Sequence, residues 1–232
     1  MITLSSPWLE YDLGAPHQVL SWSVNRPGYH IARRILWREL RNADLPPELD
    51  VRAWLARELA ARGAEDAVCL LTSRRIDRHV RRDAREGAVR AQALATVGLS
   101  NAERVGLRMD RTGRDWNLDP GTAYGTINIA VRLDHPLSQT GLLEALSIAT
   151  QARTAAIIDS GHILPHGPAT VTATGTGTDC IVVAAPEGAD DYAGLHTDTG
   201  AALGRAVYAA VLQGALDWID TVGRVSDNLE AP

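Results

Sequence analysis

The stretch Thr172–Pro186, TATGTGTDCIVVAAP, sets two glycines, four threonines and one aspartate against an apolar run. Gly175 and Gly177 permit main-chain conformations closed to other residues, and the amides around them can converge on one anionic oxygen. That oxygen would belong to a phosphate or to the tetrahedral intermediate of acyl transfer. The third glycine, the lysine and the following helix of nucleotide-binding fingerprints are missing. On spacing alone the loop reads equally as a ligand cradle and as a tight turn between strands. Asp179, just before CIVVAA, favours the cradle, because a carboxylate buried without a partner costs stability.

Three other junctions carry similar groups. GTIN brings Thr126 and Asn128 to the start of an apolar run, and ATVGLSNA ends in Ser100 and Asn101. YAGLHT places His196 and Thr197 at a helix N-terminus, where the dipole favours a neutral imidazole able to act as base, hydrogen-bond partner or ligand. Taken singly, each reads more simply as a turn tie or a cap. Together they form the pattern by which loops from several strands converge on one pocket. His162 and His166 flank Pro165, and no histidine pair has the helical spacing of a zinc protease, so no resident metal is expected.

The elements that must position these groups are marked by caps and periodicity. WLEYDL and QVLSWSV, between Trp8 and Val24, predict two short strands in a hairpin. Ile31, Ile35 and Leu36 fall on one face of a helix over Ile31–Leu40. Asp50 caps a helix with Val51, Trp54, Leu55 and Leu59 inward and Gly63 as its stop. Asp66–Ser73 is a strand; Arg74–Arg90 suits either a solvated helix or an extended hairpin; VRAQALATVGL is apolar to Leu99. A long loop follows, with Trp116, Asn117 and Tyr124 as candidates for a lid, and then the strand Gly125–Leu133. Ser138 opens a helix ending at Gly161, with Leu142, Leu143, Leu146, Ala149 and Ala156 inward. Thr197 caps the last helix, to about Asp220, in which Gly200 and Gly204 suggest close backbone approach. Strands and helices alternate without a clean repeat. The expected fold is therefore α/β or α+β, a single layered domain over 1–232 with a mixed β-sheet flanked by helices.

The bulk numbers exclude some functions. The net charge of -5 argues against a nucleic-acid or acidic-membrane surface. All 23 basic residues are arginine, so a Schiff-base lysine is excluded. Cys69 and Cys180 lie in apolar runs as small buried hydrophobes, and the N-terminus MITLSSPWLEYDLG lacks a secretory leader pattern, so a reduced, cytoplasmic setting is expected. The glycines of the last helix, with Gly214, suit packing on a second copy as well as on its own sheet.

TVGLSNA, GTINIAV, LS before LLEALSIATQARTAA, ATGTGTD, YAGLHT and the run Gly204–Val211 occur in an order that resembles the adenosylcobinamide amidohydrolases of the CbiZ type, most clearly over 96–211. The resemblance implies a salvage enzyme that hydrolyses the amide joining the aminopropanol arm to the corrin ring, giving adenosylcobyric acid and aminopropanol. The cobalt-containing corrinoid is then the substrate, and no permanently bound cofactor is expected. Where the family commonly has glutamate, alanine and lysine, this chain has Gln151, Ala152 and Arg153, and Leu195 replaces a threonine before His196. Glutamine cannot act as a general base, so the chemistry falls to the remaining carboxylate and histidine.

The corresponding mechanism is water attack. Asp179, or His196 oriented by it, takes the water proton, and amides near Gly175 and Gly177 stabilise the oxyanion. A nucleophilic variant uses Thr176 or Thr178 as the attacking oxygen with His196 as base. Asn101, Thr126, Asn128, Glu144, Gln151, Gly175, Thr176, Gly177 and Thr197 are the candidate substrate-binding groups. Two other classes stay open: a corrinoid-binding or sensing protein without turnover, and a nucleotide or phosphate binder through the glycine loop.

Overall fold

Ile127–Leu133 (β8) is apolar at five of its seven positions, and those five and Asn128 are buried, which suits a strand covered on both faces. It is the centre of the molecule. In the computed structural model, which describes residues 1–41, 44, 46, 48–107 and 125–223, β8 pairs in parallel with β12 (Cys180–Ala185) and antiparallel with β6 (Val89–Val97). The proposed lid residues Trp116, Asn117 and Tyr124 lie outside the described residues. β5 (Val80–Glu86) continues the sheet beyond β6, so the arginine-rich stretch is the extended hairpin and not the helix. On the other side β12 pairs with β2 (Trp8–Ser21), then β3 (Gly28–Glu39) and β4 (Val68–Thr72), while β1 (Ile2–Ser5) joins the outer part of β2. The result is an α+β domain with one mixed, eight-stranded sheet.

Two sequence expectations fail here for related reasons. Trp8 to Val24 is not a hairpin of two short strands. It is one long strand with Leu13–Pro16 bulging out, since Asp12 faces Arg34 and His17 already faces Ala32. Its hairpin partner is β3, the segment expected to be helical. Ile35, Leu36 and Trp37 are all fully buried in β3, Ile35 and Trp37 on one face and Leu36 on the other. A strand covered on both faces has a continuous apolar run, and periodicity cannot distinguish such a run from a helical stripe.

The bulge bends β2, and the sheet curls. Although three strands separate β4 from β8, Asn128 Nδ2 in β8 donates to the Leu71 carbonyl in β4 at 2.6 Å, and the Thr96 hydroxyl in β6 lies 3.4 Å from that of Thr72. Leu9, Tyr11, Leu13, Trp37, Leu70, Leu94 and Val182 fill the enclosed space. Outside the curl, α1 (Val51–Ala61) covers β3 and β4 with Leu55 and Leu59, and Asp50 caps it by accepting from Ala53 N–H at 3.0 Å.

On the opposite face, α2 (Gln139–Asp159) and α3 (Asp198–Trp218), with a π-turn at Ile219–Gly223, cover β5, β6, β8 and β12. Ser138 and Thr197 cap them as expected, accepting from Gly141 and Gly200 N–H. Leu142, Ala149 and Ala156 face inward and Leu146 is partly buried, but Leu143 is exposed, one position beyond the width of the buried stripe. No helix among the described residues is long and apolar enough to cross a membrane.

The glycines of α3 face the interior of the chain itself. A Cβ on Gly200 would sit 2.1 Å from the Gly194 carbonyl oxygen, and one on Gly214 2.7 Å from Val97 Cγ2. At Gly204 the nearest atom is Ile148 Cγ2 at 3.6 Å, so close backbone approach holds at Gly200 and not at Gly204. In urea unfolding, Gly204→Ala is therefore expected to stabilise by about 0.5–1 kcal/mol. Gly200→Ala is expected to destabilise by about 1–3 kcal/mol through overpacking.

Candidate functional site

The first residues of β8 and β12 lie side by side, Asn128 beside Cys180, and the loops entering them meet at one end of the sheet. The turn after β6 meets them there: Gly98 N–H donates to the Thr126 carbonyl at 3.0 Å, and a Cβ on Gly125 would lie 2.5 Å from Ser100 N. The strand fragments β7 (Ala102–Glu103) and β11 (Gly175–Thr176) pair antiparallel just beyond, fed by the hairpin β9 (Ile163–His166) and β10 (Ala169–Thr172). Asn101, Thr126, Asn128, Gly175, Thr176, Gly177, Thr178 and Asp179 are thus gathered by backbone geometry before any side chain acts.

Asp179 holds this assembly. Its Oδ1 accepts from the Ile127 amide at 3.2 Å, the Thr176 amide at 3.2 Å and the Thr176 hydroxyl. Its Oδ2 accepts from the same Thr176 amide at 3.1 Å and from Arg153 Nη1 at 2.5 Å. Arg153 projects from α2 and also donates to the Thr174 carbonyl at 3.2 Å. The pair is secluded, with the Arg153 and Asp179 side chains 15% and 6% exposed. Burial pushes the Asp179 carboxyl above its usual range, while Arg153, Thr176 and the Ile127 amide pull the other way. A carboxylate offers about four lone-pair directions, and four donors occupy them here.

The ion pair also explains the glycines. Gly175 and Gly177 have no positive φ, so the unusual backbone expected of them is not present. They are required by proximity: a Cβ on Gly175 would fall 1.7 Å from Arg153 Nη1, and one on Gly177 3.2 Å from Asn101 Nδ2. Nor are the loop amides an open anion cradle. Thr176 N–H is spent on Asp179, and Gly177 N–H donates to the Asn101 carbonyl at 3.0 Å.

A cleft of about 420 Å³ opens beside the loop, between it and β4. Thr126, Asn128, Gly177, Thr178 and Asp179 line one wall, Leu70–Ser73 the opposite wall, and Trp22 and Arg41 the rim. Its wall is polar only in part; Leu40, Leu70 and Cys180 give it an apolar floor. Trp22 is fixed by its indole N–H, which donates to the Asp179 carbonyl at 2.6 Å. The Thr178 side chain is exposed at the mouth, its hydroxyl accepting from Asn101 Nδ2 at 3.3 Å, and the Thr126 hydroxyl donates to the Thr178 carbonyl at 2.7 Å. Burial pushes the Cys180 thiol up to about 12, and Cys69 further still, so neither supplies a thiolate.

Not every candidate comes to this end. Glu144 Oε2 accepts from Ala193 N–H at 2.7 Å, and Asp198 packs against Gly87 in the turn between β5 and β6. Those contacts put exposed His196 and Thr197 toward the Leu133 end of β8, roughly 20 Å from its start at about 3.3 Å per residue, and Glu144 lies nine residues before Arg153 on α2, about 13 Å along the helix at about 1.5 Å per residue. His196 is therefore not oriented by Asp179, and cannot serve as base for Thr176 or Thr178. Thr197 works as a helix cap, its hydroxyl donating to the Gly194 carbonyl at 2.8 Å. Gln151 is exposed on α2 and donates to Ser147 Oγ at 3.3 Å. Sequence reasoning missed Arg153 as the partner of Asp179, and Trp22, Arg41 and Leu70–Ser73 as walls. Only Arg153 carried a signal, as a departure from the expected family pattern.

Among the described residues no group of three or more His, Cys, Asp and Glu is placed to hold a metal ion. The chain matches the family described as adenosylcobinamide amidohydrolase over residues 2–222, and no curated protein matches it.

Two predictions follow the geometry. Asp179→Asn leaves the Arg153 guanidinium buried without its counter-charge, and a loss of about 3–5 kcal/mol in urea unfolding is expected; a wild-type unfolding curve would show that the pair is not structural. Cys180 is neutral in the fold with a raised pKa, so its contribution is complete below about pH 9 and is lost as pH rises toward 12. Between those limits the unfolding free energy of the wild type should fall more steeply than that of Cys180→Ala, by at most about 1.4 kcal/mol per pH unit.

Proposed function

Because the chain belongs to the adenosylcobinamide amidohydrolase family, we propose that it hydrolyses the amide between the aminopropanol arm and the corrin ring of adenosylcobinamide, releasing adenosylcobyric acid and aminopropanol. The family match over nearly the whole chain carries this reading, and the cleft beside Thr178 supports it. At about 420 Å³ the cleft is at the low end of small-molecule pockets, roughly 300–1,000 Å³, a size for one arm of a corrinoid with the macrocycle resting on the rim. Trp22 offers that rim an aromatic face, and Asn128 and Thr126 offer amide-compatible groups below it.

In this reading water attacks the amide carbonyl, and the C–N bond breaks as the nitrogen leaves with aminopropanol. Asp179 can accept the water proton only if one of its donors yields. Three are fixed, by backbone or by the ion pair; the Thr176 hydroxyl alone turns away by rotation about one bond. The upward push of burial on the carboxyl suits it to that task. Among the described residues the Thr178 amide has no internal acceptor, and with the Asn101 side chain it supplies donors toward the developing oxyanion. The two cysteines are unpaired, which suits a reducing compartment, and a cytoplasmic setting is part of the proposal.

Incubating the purified chain with adenosylcobinamide is expected to yield adenosylcobyric acid, resolved by chromatography. Asn101→Ala is expected to lower kcat on the order of 100- to 1,000-fold, as loss of one oxyanion donor does, while leaving the unfolding midpoint near the wild type. Tight corrinoid binding with no product would replace hydrolysis by a binding or sensing role.

A further inference from the structure

At the other end of β8 from the cleft, β5, β6 and β8 form a second cavity of about 530 Å³. Arginine supplies four of its side chains, Arg81, Arg85, Arg90 and Arg132, and two aspartates oppose them, Asp83 and Asp134. The aspartates are already engaged. Arg81 donates to both oxygens of Asp83, at 3.0 and 3.2 Å, Gln92 adds a third bond, and Asp134 accepts from the backbone amide of Arg90 at 2.8 Å. Arg85 Nε donates to the Gly87 carbonyl. The guanidinium groups of Arg90 and Arg132 face no carboxylate among the described residues, and the lining carries a net charge near +2.

Arg132 is also oriented. Its Nε donates to Nε2 of His17 at 3.3 Å, which leaves the His17 proton on Nδ1, donating to the Ala15 carbonyl at 2.8 Å. Burial holds His17 below the usual histidine range, so this imidazole stays a neutral acceptor. With Nε tied, the two terminal nitrogens of Arg132 form the fork that matches an oxyanion.

The geometry points to a phosphate-binding site, in which the oriented Arg132 and Arg90 pair with the phosphate oxygens. A phosphate, unlike chloride, offers several acceptor oxygens at once to donors arriving from β6 and β8. The glycine loop does not compete for this ligand, since its Thr176 and Gly177 amides are spent internally. The site is separate from the cleft: Asn128 lines the cleft and Arg132 the cavity, four residues apart along one strand.

The test is calorimetric titration of the full chain with inorganic phosphate and, in a second arm, with glycerol 3-phosphate, each against sodium chloride at matched ionic strength. Saturable binding is expected, weakened at least tenfold by Arg90→Gln and by Arg132→Gln, with unfolding midpoints recorded for both variants. Arg90→Gln should leave corrinoid hydrolysis unchanged. Preference between the two arms tells free phosphate from a phosphate ester. Heats equal to those of chloride, or affinities untouched by the two substitutions in folded protein, would overturn the assignment.

Discussion

The Arg153–Asp179 pair is the interaction on which the described site depends. It joins α2 to the loop between β11 and β12, and through the Ile127 amide it reaches the first residue of β8. A charged pair this secluded is weak evidence for net stability, because desolvation offsets much of the attraction. Its effect is on specificity of arrangement. Once the two charges are buried, the Ile127 amide and the Thr176 amide and hydroxyl are committed to the carboxylate, and the loop between Thr174 and Asp179 is held in one arrangement. The glycine at 175 follows from the same constraint, since the guanidinium occupies the place of a side chain.

The curl of the sheet supplies the second condition. Without the bulge at Leu13–Pro16, β2 would run straight, and β4 would remain far from β8. With it, Leu71 and Thr72 approach Asn128 and Thr96, and the enclosed apolar side chains create a floor with an opening at each end. One opening is the cleft beside Thr178; the other is the arginine-lined cavity. The parallel crossover from β8 through α2 to β12 places both strand starts at the cleft end. Loops entering adjacent parallel strands therefore share one edge, and groups that precede those strands become neighbours whatever their separation in sequence.

Much of the local structure was legible in the residues. Asp50, Ser138 and Thr197 announced their helices because a capping side chain satisfies an amide three residues on, a purely local matter. The strands around Cys69, Ile129 and Val182 were legible as apolar runs. Segment 31–40 was not, because burial on both faces removes the alternation that marks a strand. The gathering of Asn101, Thr126, Asn128 and Asp179 was foreseen from their places at strand ends. The same reasoning grouped His196, Glu144 and Thr197 with them. His196 and Thr197 also sit at an element end, but at the other end of the sheet, and Glu144 lies within α2 facing the Ala193 amide.

By itself, then, the sequence determined the capped helices, the apolar strands, the mixed α+β character and the ordered motifs that mark the family. Only the tertiary structure decided which junctions meet, that Asp179 is held by Arg153, and that His196 is remote from both. The physical reason is range. Caps and periodicity act over three or four residues, whereas strand order and direction are set by burial and pairing across more than a hundred, as between Gln18 and the Leu137 carbonyl.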